Sequence, residues 1–187
     1  MTNVYELLAK ISESFDAAIK SAKHPLRTAS VATVSELGLP QVRTMVLRKF
    51  DEVNKLIGFH SDYRSDKIAH ITKNPNIQIL FYDKPGKLQL RITGKAKVHY
   101  QNNITLDAWN LMVDNPKKCY SCKSRPGQLL NDSSLLEYVK IEDGYNNFSI
   151  IECAISTIDY LYLASSGHQR YLINFENGSI SLQHIMP

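Results

Sequence analysis

Apolar residues recur at helical spacing most clearly at the start of the chain. Val4, Leu7, Leu8, Ile11, Phe15 and Ile19 predict an amphipathic helix over residues 3–21, and "HPL" at 24–26 ends it. After that the pattern becomes β-branched and alternating. "RTASVATVS" predicts a strand, "ELGLP" supplies a turn glycine, and "QVRTMVLRKF" (41–50) returns as the second strand of a hairpin. "KLIGFH" predicts a third strand. Ser61, Asp62 or Ser65 is placed to cap a short helix carrying Ile68 and Ile71, ended by Asn74-Pro75. "NIQILFYD" and "KLQLRITGKAKVHY" predict a second hairpin around "KPG".

Residues 102–140 are less regular. The spacing predicts a helix around Ile104–Val113, a basic loop with "CYSCKSRPG", and a short helix near Ser134–Lys140. "NFSIIECAISTIDYLYL" regains strand character. "QRYLINFENGSISLQHIM" predicts a closing hairpin turning at Glu176-Asn177-Gly178. Short antiparallel strands, few helices and no repeat predict a mainly β fold, a small closed barrel with flanking helices, as one domain over 1–187.

The second strand breaks the simple pattern. Val42, Thr44, Val46 and Arg48 face one way, while Arg43, Met45, Leu47 and Lys49 face the other, so each face mixes cations with apolar side chains. Arg43, Arg48, Arg64 and Lys67, with the hydroxyls of Ser61 and Ser65, come from this strand and the segment leading into the next helix. Guanidinium groups, hydroxyls and helix N-terminal amides are what a phosphate dianion requires. Each arginine taken singly is as well explained as a solvated surface residue; the grouping is what points to a ligand, one with a charged end and a flat apolar body.

Composition narrows the classes. The 187 residues are 43% apolar and 21% charged, ordinary values for a soluble domain with a real core. No apolar run is long enough to span a membrane, so no membrane partner is expected. The first residues lack a basic-then-apolar block, and with three cysteines the cytoplasm is the expected compartment. A net charge of +4 suits a small anion and does not by itself argue for nucleic acid. Cys119-x-x-Cys122 has metal-type or redox spacing; two further zinc ligands are missing, and plain residues are the better reading, ahead of a dithiol switch favoured by Lys117, Lys118 and Lys123.

Three ordered segments, "ASVATVSELGLPQVRTMVLRKFD", "GFHSDYRSDKIAHITKNPNIQILFYD" and "LQLRITGKAKV", with the tail "GHQRYLINFENGSISLQHIMP", resemble the flavin-binding core of the pyridoxamine-phosphate oxidase family. The resemblance covers most of 27–100 and 168–187. It implies a split-barrel homodimer with flavin mononucleotide (FMN) at the subunit interface. It further implies that Arg43 pairs with the flavin phosphate, that the main chain of Met45, Val46 and Leu47 runs beside the ring, and that Thr44 between them is also cofactor-binding. Arg48 stands where the family usually has lysine, near ring and substrate. Ser61, Ser65 and Lys67 match the phosphate-side segment, His60 stands at a position often aromatic, and Arg64 is placed to take over from the arginine that Asp66 replaces. Gln89 matches a ring-edge glutamine and Arg170 an arginine near the flavin, while Arg125 and His168 match substrate-side positions. The implied activity is an oxidoreductase passing hydride from a small substrate to flavin N5, with a phosphorylated B6 vitamer as the first substrate the resemblance suggests.

The departures concern the substrate. Asp66 replaces an arginine, Ser166 replaces a substrate arginine, Tyr160 or Leu161 stands for a tryptophan, and the Tyr120 to "SRP" spacing is off by one. A flavin-binding or redox-sensing protein without turnover, and a split barrel that takes another phosphorylated or tetrapyrrole ligand, therefore stay open.

Overall fold

The computed structural model describes residues 3–130, 136–176 and 178–187. Helix α1, Val4–Lys20, is capped by Asn3, whose side chain accepts from the Tyr5 amide, and buries Leu7, Leu8, Ile11, Phe15 and Ala18. Its other end is held by Arg27, which donates to the carbonyls of Ala18 (3.2 Å), Ile19 (2.6 Å) and Leu47 (3.3 Å). A cation on the last carbonyls is favoured by the helix dipole.

Eight antiparallel strands follow: β1 Thr28–Val34, β2 Pro40–Asp51, β3 Leu56–Asp62, β4 Asn76–Asp83, β5 Leu88–Tyr100, β6 Phe148–Tyr162, β7 Gln169–Glu176 and β8 Ser179–His184. Their order is β3-β2-β1-β4-β5-β6-β7-β8, and β3 also pairs with β6. Strands β1 to β6 thus close into a six-stranded barrel, and β7 and β8 extend the sheet beyond it to a free edge at β8. The near half of β6 closes on β3 (Leu56↔Ala154 to Asp62↔Phe148), and its far half carries β7 (Thr157↔Asn174 to Tyr162↔Gln169). One long strand therefore serves two neighbours, and the barrel splits where they part.

Between those halves the β5–β6 register jumps from Thr93↔Thr157 to Gly94↔Ile155, so Ser156 is an extra residue on β6. Gly94 is required there: a Cβ would lie 2.2 Å from the Ala154 carbonyl oxygen and 2.6 Å from the Cys153 sulfur. Inside the barrel Leu47, Phe59, Ile79, Phe81, Leu90, Ile92, Ile151 and Ile158 are fully buried, and Phe15 of α1 packs on Phe50 and Phe81 at 4.9 and 4.8 Å.

Helix α2, Asp66–Lys73, covers β1 and β5 and buries Ile68 and Ile71. Helix α3, Asn103–Leu111, starts with a reciprocal Asn102–Thr105 capping box. A short helix α4, Asp114–Lys117, and 3₁₀ turns at Lys118–Tyr120 and Glu142–Asn147 complete the chain. The helix expected near Ser134–Lys140 is corrected in part: 131–135 lie outside the described residues, and 136–140 run extended. Tyr138 bridges to Cys122, Lys123 donates to the Glu137 carbonyl (2.8 Å) and Val139 to that of Ser121 (2.8 Å). Pairing with a distant segment overrides the local spacing. The closing hairpin has Gly178 at φ +79°; Asn177 of its expected turn lies outside the described residues. Among the described residues no helix is long and apolar enough to cross a membrane.

Candidate functional site

On β2 the strand period sends Met45 (6% exposed) and Leu47 (0%) into the barrel. Val46 and Arg48 stay half-buried on the outer face, and Thr44 is exposed. Arg43 has the inward parity but donates to the Val31 carbonyl (3.2 Å) and the Thr33 hydroxyl (2.8 Å) of β1. The two mixed faces of β2 thus serve one purpose: both aim cations at a common cavity.

That cavity, of about 320 Å³, is lined by Arg43, Thr44, Met45, Val46 and Arg48 of β2, His60, Ser61 and Asp62 of β3, Lys67 of α2, and Cys119, Tyr120 and Pro126 of the basic loop. Lys67 donates to the hydroxyls of Ser61 (3.3 Å) and Ser65 (2.9 Å), both buried. Ser65 occupies the N-cap position of α2 without capping it; its hydroxyl turns back to the Asp62 carbonyl at 2.6 Å. The first-turn amides of α2 are left without a side-chain acceptor.

Electrostatically the cavity carries an excess of positive charge: Arg43, Arg48 and Lys67 line it with one carboxylate, Asp62, which is itself paired with Arg64. Burial lowers the Arg43 pKa, and burial followed by the charge of Arg43 lowers that of Lys67. Among the described residues, none of Arg43, Arg48 and Lys67 forms an ion pair. Arg48 Nε is buried with no hydrogen-bond partner among them. Burial, with Arg48 beside it, drops the His60 pKa to about 4, so the imidazole is neutral at physiological pH. Burial raises the Tyr120 phenol to about 12, keeping it a donor. Phe148 backs this wall, with His60, Trp109 and Tyr120 packed around it at 4.9, 5.4 and 5.0 Å.

Not every expected residue reaches the cavity. The Leu47 side chain is in the core, and Ser65 acts behind Lys67. Arg64 is engaged by Asp62 (2.7 Å) and the Lys123 carbonyl (3.0 Å) and lines a neighbouring depression. Arg125 is paired with Asp66 at 2.9 Å, although the adjacent Pro126 lines the cavity. His168 is exposed just before β7. Gln89 and Arg170 flank Leu161 on one rung across β5, β6 and β7. Arg170 and Arg91 both grip Asp159, the former at 2.8 Å; burial alone would raise this carboxyl, but the hydrogen bonds from the two arginines outweigh it and hold the pKa below the usual range. The preceding rung runs Thr44–Ser30–Leu80–Arg91–Asp159, four strand spacings. Along the sheet Gln89, on β5, therefore stands three strand spacings or about 14 Å from β2, and Arg170, on β7, five spacings or about 24 Å, and neither lines the cavity of its own chain. Asp62, Cys119, Tyr120 and Pro126 are cavity residues absent from the expected set, and the "CYSCKSRPG" motif is the signal that contained three of them.

Comparison with known proteins agrees with this picture. Residues 8–100 match the model of the pyridoxamine 5'-phosphate oxidase FMN-binding domain. The pyridoxine/pyridoxamine 5'-phosphate oxidase of Rippkaea orientalis is 40% identical over 67 residues, 36% of this chain and 31% of that protein. The chain thus spans about a third of the length of that curated relative. The Aliarcobacter butzleri enzyme of the same name is 27% identical over 188 residues, 92% of this chain and 85% of that protein. A pyridoxamine 5'-phosphate oxidase-related, FMN-binding protein from Nostoc punctiforme has the same fold, with a TM-score of 0.80 at 20% identity over the full length of both chains.

Proposed function

Through residues 8–100 the chain belongs to the family of pyridoxamine 5'-phosphate oxidase FMN-binding domains, and from this premise we propose that it is an FMN-dependent oxidoreductase, one domain over 1–187, acting as a cytoplasmic homodimer on a small substrate. The observation that carries the reading is the cavity lined by three cations, Arg43, Arg48 and Lys67, none of which forms an ion pair with another described residue. Three half-buried cations side by side without a bonded counter-charge are disfavoured, and a ligand that brings negative charge relieves them.

The residues present fit FMN. Arg43, Lys67 and Ser61 would hold its phosphate, Ser65 would steady Lys67 from behind, and Thr44 and the α2 amides would add donors. The main chain of Met45, Val46 and Leu47 would run beside the ring, and Arg48 and His60 would face it. Bound FMN supplies the hydride acceptor at N5. The chain's own part is to fix the substrate, keep positive charge near the ring and exclude water. Gln89 and Arg170 are too distant within one chain, which supports a second copy supplying them; Arg64, Arg125 and His168 would complete the phosphate and substrate sides.

Pyridoxamine or pyridoxine 5'-phosphate is the first substrate to assay. A flavin-binding role without turnover of that vitamer is the second reading, favoured by the Asp66–Arg125 pair, which already neutralises a proposed substrate-phosphate ligand. Purified protein should be yellow, and Arg43→Ala with Lys67→Ala should abolish flavin retention. A double variant that stays yellow refutes the phosphate site, a colourless wild type refutes the flavin reading, and peroxide release with pyridoxamine phosphate separates oxidase from carrier.

A further inference from the structure

Cys119 and Cys122 enclose a tight turn beside the cavity. Tyr120 ends a 3₁₀ turn, and Ser121 has φ −88° and ψ −4°, the dihedrals of the third residue of a type I turn. Such a turn brings the Cα atoms of Cys119 and Cys122 to within about 7 Å, the reach of a disulfide. The backbone between them is fixed from outside. Asn147 Nδ2 donates to the Tyr120 carbonyl at 2.7 Å, the Val139 amide donates to that of Ser121 at 2.8 Å, and Cys122 is bridged to Tyr138. The thiols differ in access: Cys119 is exposed and lines the cavity, whereas Cys122 is half-buried. Cys153 is buried in the barrel, and burial pushes its thiol up to about 12. Lys118, next to Cys119, lies over the Tyr138 ring at 5.7 Å and forms no ion pair among the described residues.

We propose that Cys119 and Cys122 are a reversible dithiol–disulfide couple that exchanges with a small anionic disulfide at the rim of the cavity. Its exposure makes Cys119 the attacking residue. The Cys119 thiolate attacks one sulfur of the incoming disulfide, a mixed disulfide forms, and the first substrate thiolate leaves. The Cys122 thiolate then attacks the Cys119 sulfur, and the second substrate thiolate leaves. The two cysteines give up two electrons to the substrate disulfide, and the two protons they lose end on the departing thiolates. The preformed turn favours the second step, because the cysteines are neighbours before the reaction starts. Closing so short a loop constrains the unfolded chain little, so the bond is weakly stabilised and readily reversed. The ammonium of Lys118, without a counter-charge, selects an anionic partner such as glutathione disulfide.

The couple itself needs no flavin; only the identity of the cavity's occupant rests on the preceding reading. Incubation of the native full chain with glutathione disulfide, followed by acid quench, alkylation and mass spectrometry, tests it. The wild type should lose two of its three alkylatable thiols, with Cys119 and Cys122 joined in one peptide, and reduced glutathione should restore both. Cys122→Ser should stop at a mixed disulfide of Cys119 with glutathione. Cys119→Ser should lose the reaction, leaving half-buried Cys122 free over the time in which the wild type closes. Both positions lie outside the core, so the variants should melt as the wild type does. A wild type that keeps three free thiols, that accumulates the mixed disulfide without closing it, or that links Cys119 only to a second chain overturns the couple. Saturating FMN should slow the first step, since Cys119 lines its cavity. A closing rate indifferent to FMN, or a colourless protein that still forms the bond, upholds the couple and counts against the flavin reading.

Discussion

Replacing Lys67 by methionine should weaken flavin binding while leaving the ligand-free protein as stable as the wild type or more so. Lys67 has no ion pair to lose; its ammonium donates only to Ser61 and Ser65, whose hydroxyls also contact the Asp62 carbonyl and each other. Methionine keeps most of the volume and removes a charge that burial and Arg43 both disfavour. The pH dependence has a definite sign. A lysine whose pKa is lowered by folding binds its proton more tightly when unfolded, so its contribution to stability grows as pH rises from the folded pKa toward 10.5. That increment should vanish in Lys67→Met. Against it stands the lost charge-assisted bond to the ligand phosphate, about 1.5–3 kcal/mol, which weakens FMN affinity by about 10- to 150-fold. Fluorescence-quench titration with FMN and thermal melts of flavin-free protein between pH 7 and 10 measure the two effects. An unchanged FMN affinity, or a large loss of stability in the flavin-free variant, would refute the reasoning.

Asp66→Asn should release Arg125 and raise affinity for pyridoxal phosphate several-fold in a fluorescence titration; because the pair is exposed, stability should change by less than about 1 kcal/mol. Gly94→Ala should cost about 1–3 kcal/mol in urea unfolding, since its Cβ meets the β6 backbone rather than a yielding side chain. The His60 imidazole should titrate near 4 by NMR, not near 6.5. Its lowered pKa makes stability rise with pH across about 4 to 6.5, and His60→Gln should flatten that segment of the profile.

Local signals carried most of the fold. Helix α1 and the strands of both early hairpins follow from periodicities of 3.6 and 2, which neighbouring residues decide among themselves. Segments 114–130 and 136–147 were not legible in the same way, because their shape answers to partners distant in sequence: Tyr120 packs on Phe148, and Tyr138 pairs with Cys122. At the site, the opposed facing of Arg43 and Arg48 was readable, as was the hydroxyl and lysine segment after β3. The capture of Arg64 by Asp62 and of Arg125 by Asp66 was not, since each sequence offers several equally near partners for a flexible guanidinium. The separation of Gln89 and Arg170 from the cavity is a matter of strand order, which no single strand encodes.

Ser156 has an influence out of proportion to its own contacts. Upstream of it Ile151, Cys153 and Ile155 point into the barrel; downstream Ile158 does, and Asp159 faces outward to Arg91 and Arg170. Strict alternation through this point would send Thr157 and Asp159 inward instead. A single supernumerary residue thus acts as a parity switch for the distal sheet, deciding that a carboxylate and its two arginines meet on the outside while isoleucine fills the interior.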